Sequence, residues 1–308
     1  MKTLKGFIFV LFIAISLAGV SAGQKAKPKK KPVKTKPVST PVVVKKNMPS
    51  APKNVQFEMF LEGSMSLGEN KPFIYVARNK ESYAVLKEKL ELTPLKEIDF
   101  SKFALVGAFM GMKPTGGYSV NIGGYTVADD MYTGTKVKIS AISPAPGQIV
   151  VEAFTSPFKV VLVPVEEEKT LVLEIGPEWK NSAEIYKITS GNFHFSGGFA
   201  FTERKFFIEG SVLVWRAGDL ISCAFELSGK GDEKARKLLE TASGKLEKDG
   251  SITLFQFDPG GFVNNPRPAL KAKGRIDAAK LSLEFTSLPT HWSDGFEGQG
   301  KLEAVKQK

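Results

Sequence analysis

One cysteine, Cys223, and two histidines, His194 and His291, are the whole supply of those residue types in 308 positions. A single thiol excludes a disulfide framework and any Cys-rich metal site. Two His leave too few nitrogens for a His-ligated catalytic metal centre. The chain also contains no G-x-S-x-G elbow, no GxxxxGK[ST] phosphate loop, no HExxH and no CxxC. Each of those motifs places a nucleophile, an anion cradle or metal ligands at a fixed spacing. His194 lies in the alternating run NFHFSG and His291 in PTHWSD, neither beside a spacing-matched nucleophile. No catalytic residue, metal ligand or cofactor is therefore assigned, and the expected class is non-enzymatic.

Acid is absent from the first 55 residues, which carry 12 of the 43 basic residues, all Lys. The remaining 31 face 32 acidic residues, so the net charge of +11 resides in the N-terminal segment and the rest is near neutral. A nucleic-acid-binding domain carries its basic excess on folded elements, so no nucleic-acid partner is expected. Residues 1–22 have the parts of a secretory signal peptide: Lys2 and Lys5, an apolar stretch over 6–20, and Val20-Ser21-Ala22 for cleavage. The apolar stretch falls short of the roughly 20 residues that span a bilayer, so no transmembrane span is expected after cleavage. The expected location is exported, periplasmic or extracellular, and associated with the cell envelope. Cys223, alone in an oxidising compartment, is expected to be a small buried hydrophobe or an intermolecular thiol.

Residues 23–55 are rich in Lys, Pro and Val and hold no acid. Such a segment buries too little surface to fold and is expected to be a disordered linker. It acts as a spacer, or touches anionic envelope polymers through its charge.

From Gln56 onward, short alternating runs are broken by Gly, Pro, Asn and Asp, the pattern of antiparallel β structure. The expected fold is all-β. An immunoglobulin-like or small antiparallel sandwich domain over 56–176 precedes a second domain over 183–305, a curved antiparallel sheet or barrel with one short helix. Strands that stop and restart at Gly point to the curvature. ESYAVLKEKLEL (81–92) predicts one helix in the first half. DEKARKLLETAS (232–243) predicts the helix of the second, with Ala235, Leu238, Leu239 and Ala242 on one face. IVVEAFTSPFKVVLVPV predicts two strands around Ser156-Pro157, and 177–182 reads as a boundary. The Phe-rich strands of the second half fill a solid core or enclose an apolar molecule, which would make the protein an envelope ligand-binding protein.

Residues 103–164 contain KPTGGYSVNI after an apolar strand, then SPAPGQ, then FTSPFKVVLVP. This stretch resembles the C-terminal domain of the PrcB family, accessory subunits of secreted bacterial protease complexes. The resemblance implies a small all-β domain that binds or stabilises a protein partner such as a protease, and implies no catalytic residue. From the residues alone, Pro114 pre-sets a turn and Gly116-Gly117 permits positive φ or close backbone approach. The connection Lys113, Pro114, Thr115, Gly116, Gly117 and Tyr118 is then an exposed strand-to-strand turn, and either only that or the partner-binding site. The same loop resembles the Pro-Thr-Gly-Tyr wedge of chagasin-type cysteine-protease inhibitors. It departs from that pattern where Val120 replaces a Trp and where an Arg-Pro-Trp loop is missing.

Overall fold

The computed structural model describes residues 53–64, 70–90, 97–129, 132–165, 170–197, 204–229, 238–257, 270–287 and 296–307. The leader expected over 1–22, most of the linker expected over 23–55, and His291 lie outside the described residues. Met48–Lys308 forms one compact unit.

The first half contains β1 (Lys53–Val55), β2 (Glu58–Gly63), β3 (Phe73–Ala77), α1 (Lys80–Lys89), β4 (Phe103–Phe109), β5 (Ser119–Asp129), β6 (Tyr132–Ile142), β7 (Phe158–Pro164) and β8 (Thr170–Ile175). A short helix, α2 (Pro177–Ser182), leads to the second half. There β9 (Glu184–Gly197), β10 (Arg204–Ala217), β11 (Leu220–Gly229) and β12 (Leu238–Leu246) follow. The remaining strands are β13 (Ser251–Phe257), β14 (Leu270–Ile276), β15 (Lys280–Ser287) and β16 (Phe296–Lys306). The all-β class is as the sequence predicts.

Two four-stranded sheets, ordered β1-β5-β6-β8 and β2-β7-β4-β3, make up the first half. They share one apolar core, with Val120, Ile122, Val137, Ile139, Leu171 and Leu173 from the first sheet and Phe109, Val106 and Val160 from the second. Helix α1 packs on the second sheet, so β3 is buried along its whole length. A strand covered on both faces reads as a continuous apolar run rather than an alternation. The helix starts where predicted because Asn79 caps it: the Ser82 N–H donates to Asn79 Oδ1 at 2.9 Å, and the Asn79 N–H donates back to Ser82 Oγ at 3.3 Å.

In the second half β9 to β16 close into an eight-stranded antiparallel barrel, β16 pairing with β9 from Phe296↔Gly197 to Lys306↔Tyr186. Phe193, Phe225 and Phe285 fill its interior, the Phe193 and Phe285 rings 5.0 Å apart. The close strand approach that curvature demands is visible at Gly244. A Cβ there would stand 1.8 Å from the carbonyl oxygen of Thr253.

The two halves share a wall. The inward residues of β10 and β11, among them Val212, Val214, Ile221 and Phe225, belong to the barrel core. The outward residues Leu213, Trp215, Ala217, Leu220 and Ala224 belong to the core of the first half. Cys223 is buried inside the barrel, as expected of a small hydrophobe, and burial pushes its thiol up to about 12. Its neighbour Ser222, which the alternation suggests is solvent-facing, is buried as well, because the first half covers it.

Four local expectations are corrected. Leu238, Leu239 and Ala242 lie in strand β12, not in a helix; pairing with β11 from Leu227↔Leu238 to Leu220↔Lys245 overrides the local periodicity. Residue Ala235 is outside the described residues. Residues 149–155 form no strand, only an isolated bridge at Lys113↔Thr155. The last three residues of the expected linker form β1 on the edge of β5, because Val55 and Phe57 alternate toward the core before the Lys/Pro composition has given way. The segment 177–182 is helix α2, with Trp179 fully buried.

Candidate functional site

The loop 113–118 crosses one end of the first half, from β4 in one sheet to β5 in the other. It is bound to the strand-free segment 149–155. The Lys113 N–H donates to the Thr155 carbonyl at 2.7 Å and the Thr155 N–H donates to the Lys113 carbonyl at 3.0 Å. The Gly116 N–H donates to the Val151 carbonyl at 2.9 Å. Thr155 Oγ1 donates to the Thr115 carbonyl at 2.9 Å. These bonds hold both stretches as one crossing ribbon over a rigid sandwich end, the setting in which loops carry recognition.

Each candidate residue has a definite place. Pro114 and Gly117 are exposed, whereas Lys113, Thr115, Gly116 and Tyr118 are half-buried. Lys113 Nζ sits 5.7 Å from the centre of the Tyr118 ring, within cation–π range. Gly117 has φ +81°, and a Cβ there would lie 2.8 Å from Val150 Cγ1 and 3.1 Å from Pro144 Cβ. Both its backbone conformation and its neighbours call for glycine.

The exposed apolar surface at this end comes mainly from the companion segment. Ile149 is 98% exposed, Val151 72% and Phe154 69%, with Met112 and Ile142 about half exposed beside them. Between Ile142 and Pro157 the only charged residue is Glu152. Soluble proteins seldom leave such residues uncovered together, and clusters of this kind mark contact surfaces. Sequence reasoning missed this segment by reading its apolar run as a strand. Pro144, Pro146 and Gly147 before it and Ser156-Pro157 after it were the signal that it is a connection.

Polar chemistry gathers elsewhere, at the end of the barrel. Glu184 Oε2 accepts from Arg216 Nη2 at 2.7 Å, Tyr186 Oη at 3.0 Å and Lys306 Nζ at 3.1 Å. Burial pushes the Glu184 carboxyl up, but the Lys306 hydrogen bond, the Arg216 charge and the Tyr186 hydroxyl together outweigh it and hold the group below its ordinary range. Burial and the Glu184 carboxylate push the Tyr186 phenol up to about 12. This cluster ties β9, β10 and β16 together and offers no activated nucleophile. His194 faces Gln299, with Nδ1 3.4 Å from Nε2. Among the described residues no group of His, Cys, Asp and Glu is arranged to hold a metal ion. Among them, too, no helix is long and apolar enough to cross a membrane.

Residues 104–164 match the family model described as PrcB C-terminal. The match runs from β4 to β7 and so contains the whole crossing ribbon, about a fifth of the chain. No curated protein matches the chain.

Proposed function

We propose that the protein is an exported, non-catalytic binding subunit. It captures a protein partner, a secreted protease or an envelope complex, on the end of the PrcB-like segment formed by 113–118 and 149–155. The observation that carries this reading is the coincidence of two facts. The family match at 104–164 encompasses the ribbon, and the ribbon exposes Ile149, Val151 and Phe154 on a hydrogen-bonded frame. Apolar anchors on a rigid support, with little charge to desolvate, are the composition of an interface centre. In this reading residues 1–22 direct export, and residues 23–52 hold the folded part away from the envelope or touch its anionic polymers. The domain limits proposed are 53–176, with β1 included, and 183–305. The test uses purified full-length protein carrying a photo-crosslinker at Gln148, applied to the native envelope fraction. Ile149→Asp and Phe154→Asp should remove the crosslinked partner while leaving the melting midpoint within about 1 °C, since exposed substitutions shift stability by only ~0.5 kcal/mol. Undiminished crosslinking in both variants would sink the assignment.

A further inference from the structure

The barrel ladder is short between β12 and β13. Strand β12 pairs with β11 along 238–245 but with β13 only over 244–246, opposite 252–254. Residues 240–243 on one side and 255–257 on the other have no strand partner across that seam among the described residues. The corner between β3 and α1 of the first half lies in the gap. The Val76 N–H donates to Ser243 Oγ at 2.9 Å, and Ser243 Oγ lies 2.8 Å from Ser222 Oγ. Asn79 Nδ2 donates to the Phe255 carbonyl at 3.4 Å. Arg78 Nη2 lies 3.4 Å from Glu240 Oε2.

The position of Glu240 gives this contact its meaning. It stands opposite Phe225, whose ring belongs to the barrel interior, so the pleat places both side chains on the inward face. Ser243 stands opposite Ser222 on the outward face. Arg78 therefore reaches from the first half through the seam to a carboxylate on the inner side of the wall. Both side chains are nine-tenths or more buried. Arg78 Nε and Thr241 Oγ1 are buried without a hydrogen-bond partner among the described residues. A buried ion pair gives registry more than net stability, and unsatisfied polar atoms beside it weaken the seal along this line of the wall.

We propose that the β3–α1 corner is a latch on the barrel. Arg78 and Glu240 hold it in the β12/β13 seam, and its withdrawal opens the apolar interior between 240–243 and 255–257. This goes beyond partner capture, which uses the opposite end of β3, where Phe73 pairs with Phe109.

Hydrogen exchange by mass spectrometry on the full-length protein tests it, with 1-anilinonaphthalene-8-sulfonate as the apolar probe. Arg78→Met should speed exchange at 240–243 and 255–257 at least tenfold, leave 299–304 on the far wall within twofold, and raise probe fluorescence. Arg78→Met leaves the buried Glu240 carboxylate without the Arg78 charge and can abolish folding. The double variant Arg78→Met/Glu240→Met removes both charges, and its seam should also open preferentially. Equal acceleration on both walls would show that the pair supports the core as a whole and would overturn the latch. Unchanged exchange at the seam in the double variant would overturn it too.

Discussion

The indole N–H of Trp215 donates to the backbone carbonyl of Trp179 at 2.8 Å, and the indole of Trp179 donates in turn to the carbonyl of Phe109 at 3.0 Å. Trp215 is on the barrel wall, Trp179 is on α2, and Phe109 ends the strand that leads into the crossing ribbon. Two buried side chains thus peg the barrel to the base of the candidate site.

Trp215→Phe and Trp179→Phe keep most of the apolar volume and each remove one buried indole hydrogen bond, the Trp179 carbonyl still accepting from Ser182 Oγ at 2.8 Å. Each should cost about 0.5–1.5 kcal/mol, the net worth of a lost intramolecular hydrogen bond. Urea denaturation should show a lower midpoint with an unchanged slope, since the surface exposed on unfolding is the same. A midpoint equal to that of the parent protein would mean that the two indole bonds contribute nothing net.

The ribbon itself predicts two classes of variant. Thr115→Arg and Lys113→Glu alter shape and charge where the side chains reach solvent. They should weaken partner crosslinking and change stability by only ~0.5 kcal/mol. Gly117→Val forces a β-branched residue to φ +81° and drives its Cβ to within 2.8 Å of Val150 Cγ1. It should lower the melting midpoint as well as binding. Circular dichroism melts run beside the crosslinking assay separate the classes. If all three variants destabilise alike, the loop serves the fold and not the partner.

Acid should loosen the end of the barrel through Glu184. Its folded-state pKa is held below the ordinary value. Its contribution to stability is therefore complete above the unfolded carboxyl pKa and is lost as pH falls through the folded one. Melting midpoints measured from neutral pH down through the carboxyl range should fall, and Glu184→Gln should flatten that fall. The same slope in both proteins would remove Glu184 from the acid response.

Much of the class was legible in the sequence, and the reason is local. Helix α1 carries its own cap, and β5 and β6 alternate with one face inward, so short windows contain the signal. Glycine-interrupted strands announced the barrel. What escaped depended on cover supplied from far away in the chain. Strand β12 is buried on both faces at Thr241, Ala242 and Ser243, so its alternation vanished and a helical period took its place. Ile149, Val151 and Phe154 were the converse, an apolar run with nothing over it. An apolar pattern reports what a residue prefers, whereas burial is decided by what else arrives. The loop 113–118 was legible as a turn from its Pro and Gly, but its hydrogen-bonded companion was not.

Strand β16 zips onto β9 to close the barrel, and the barrel wall completes the core of the first half. A chain emerging from its N-terminus therefore makes β3 and β4 long before the residues that must cover them. It makes β9 long before residues 296–306 can satisfy its free edge. Pairings this distant in sequence form slowly, because loop closure costs entropy before any contact repays it. The native state is thus out of reach of the nascent polypeptide until residues 296–306 have emerged.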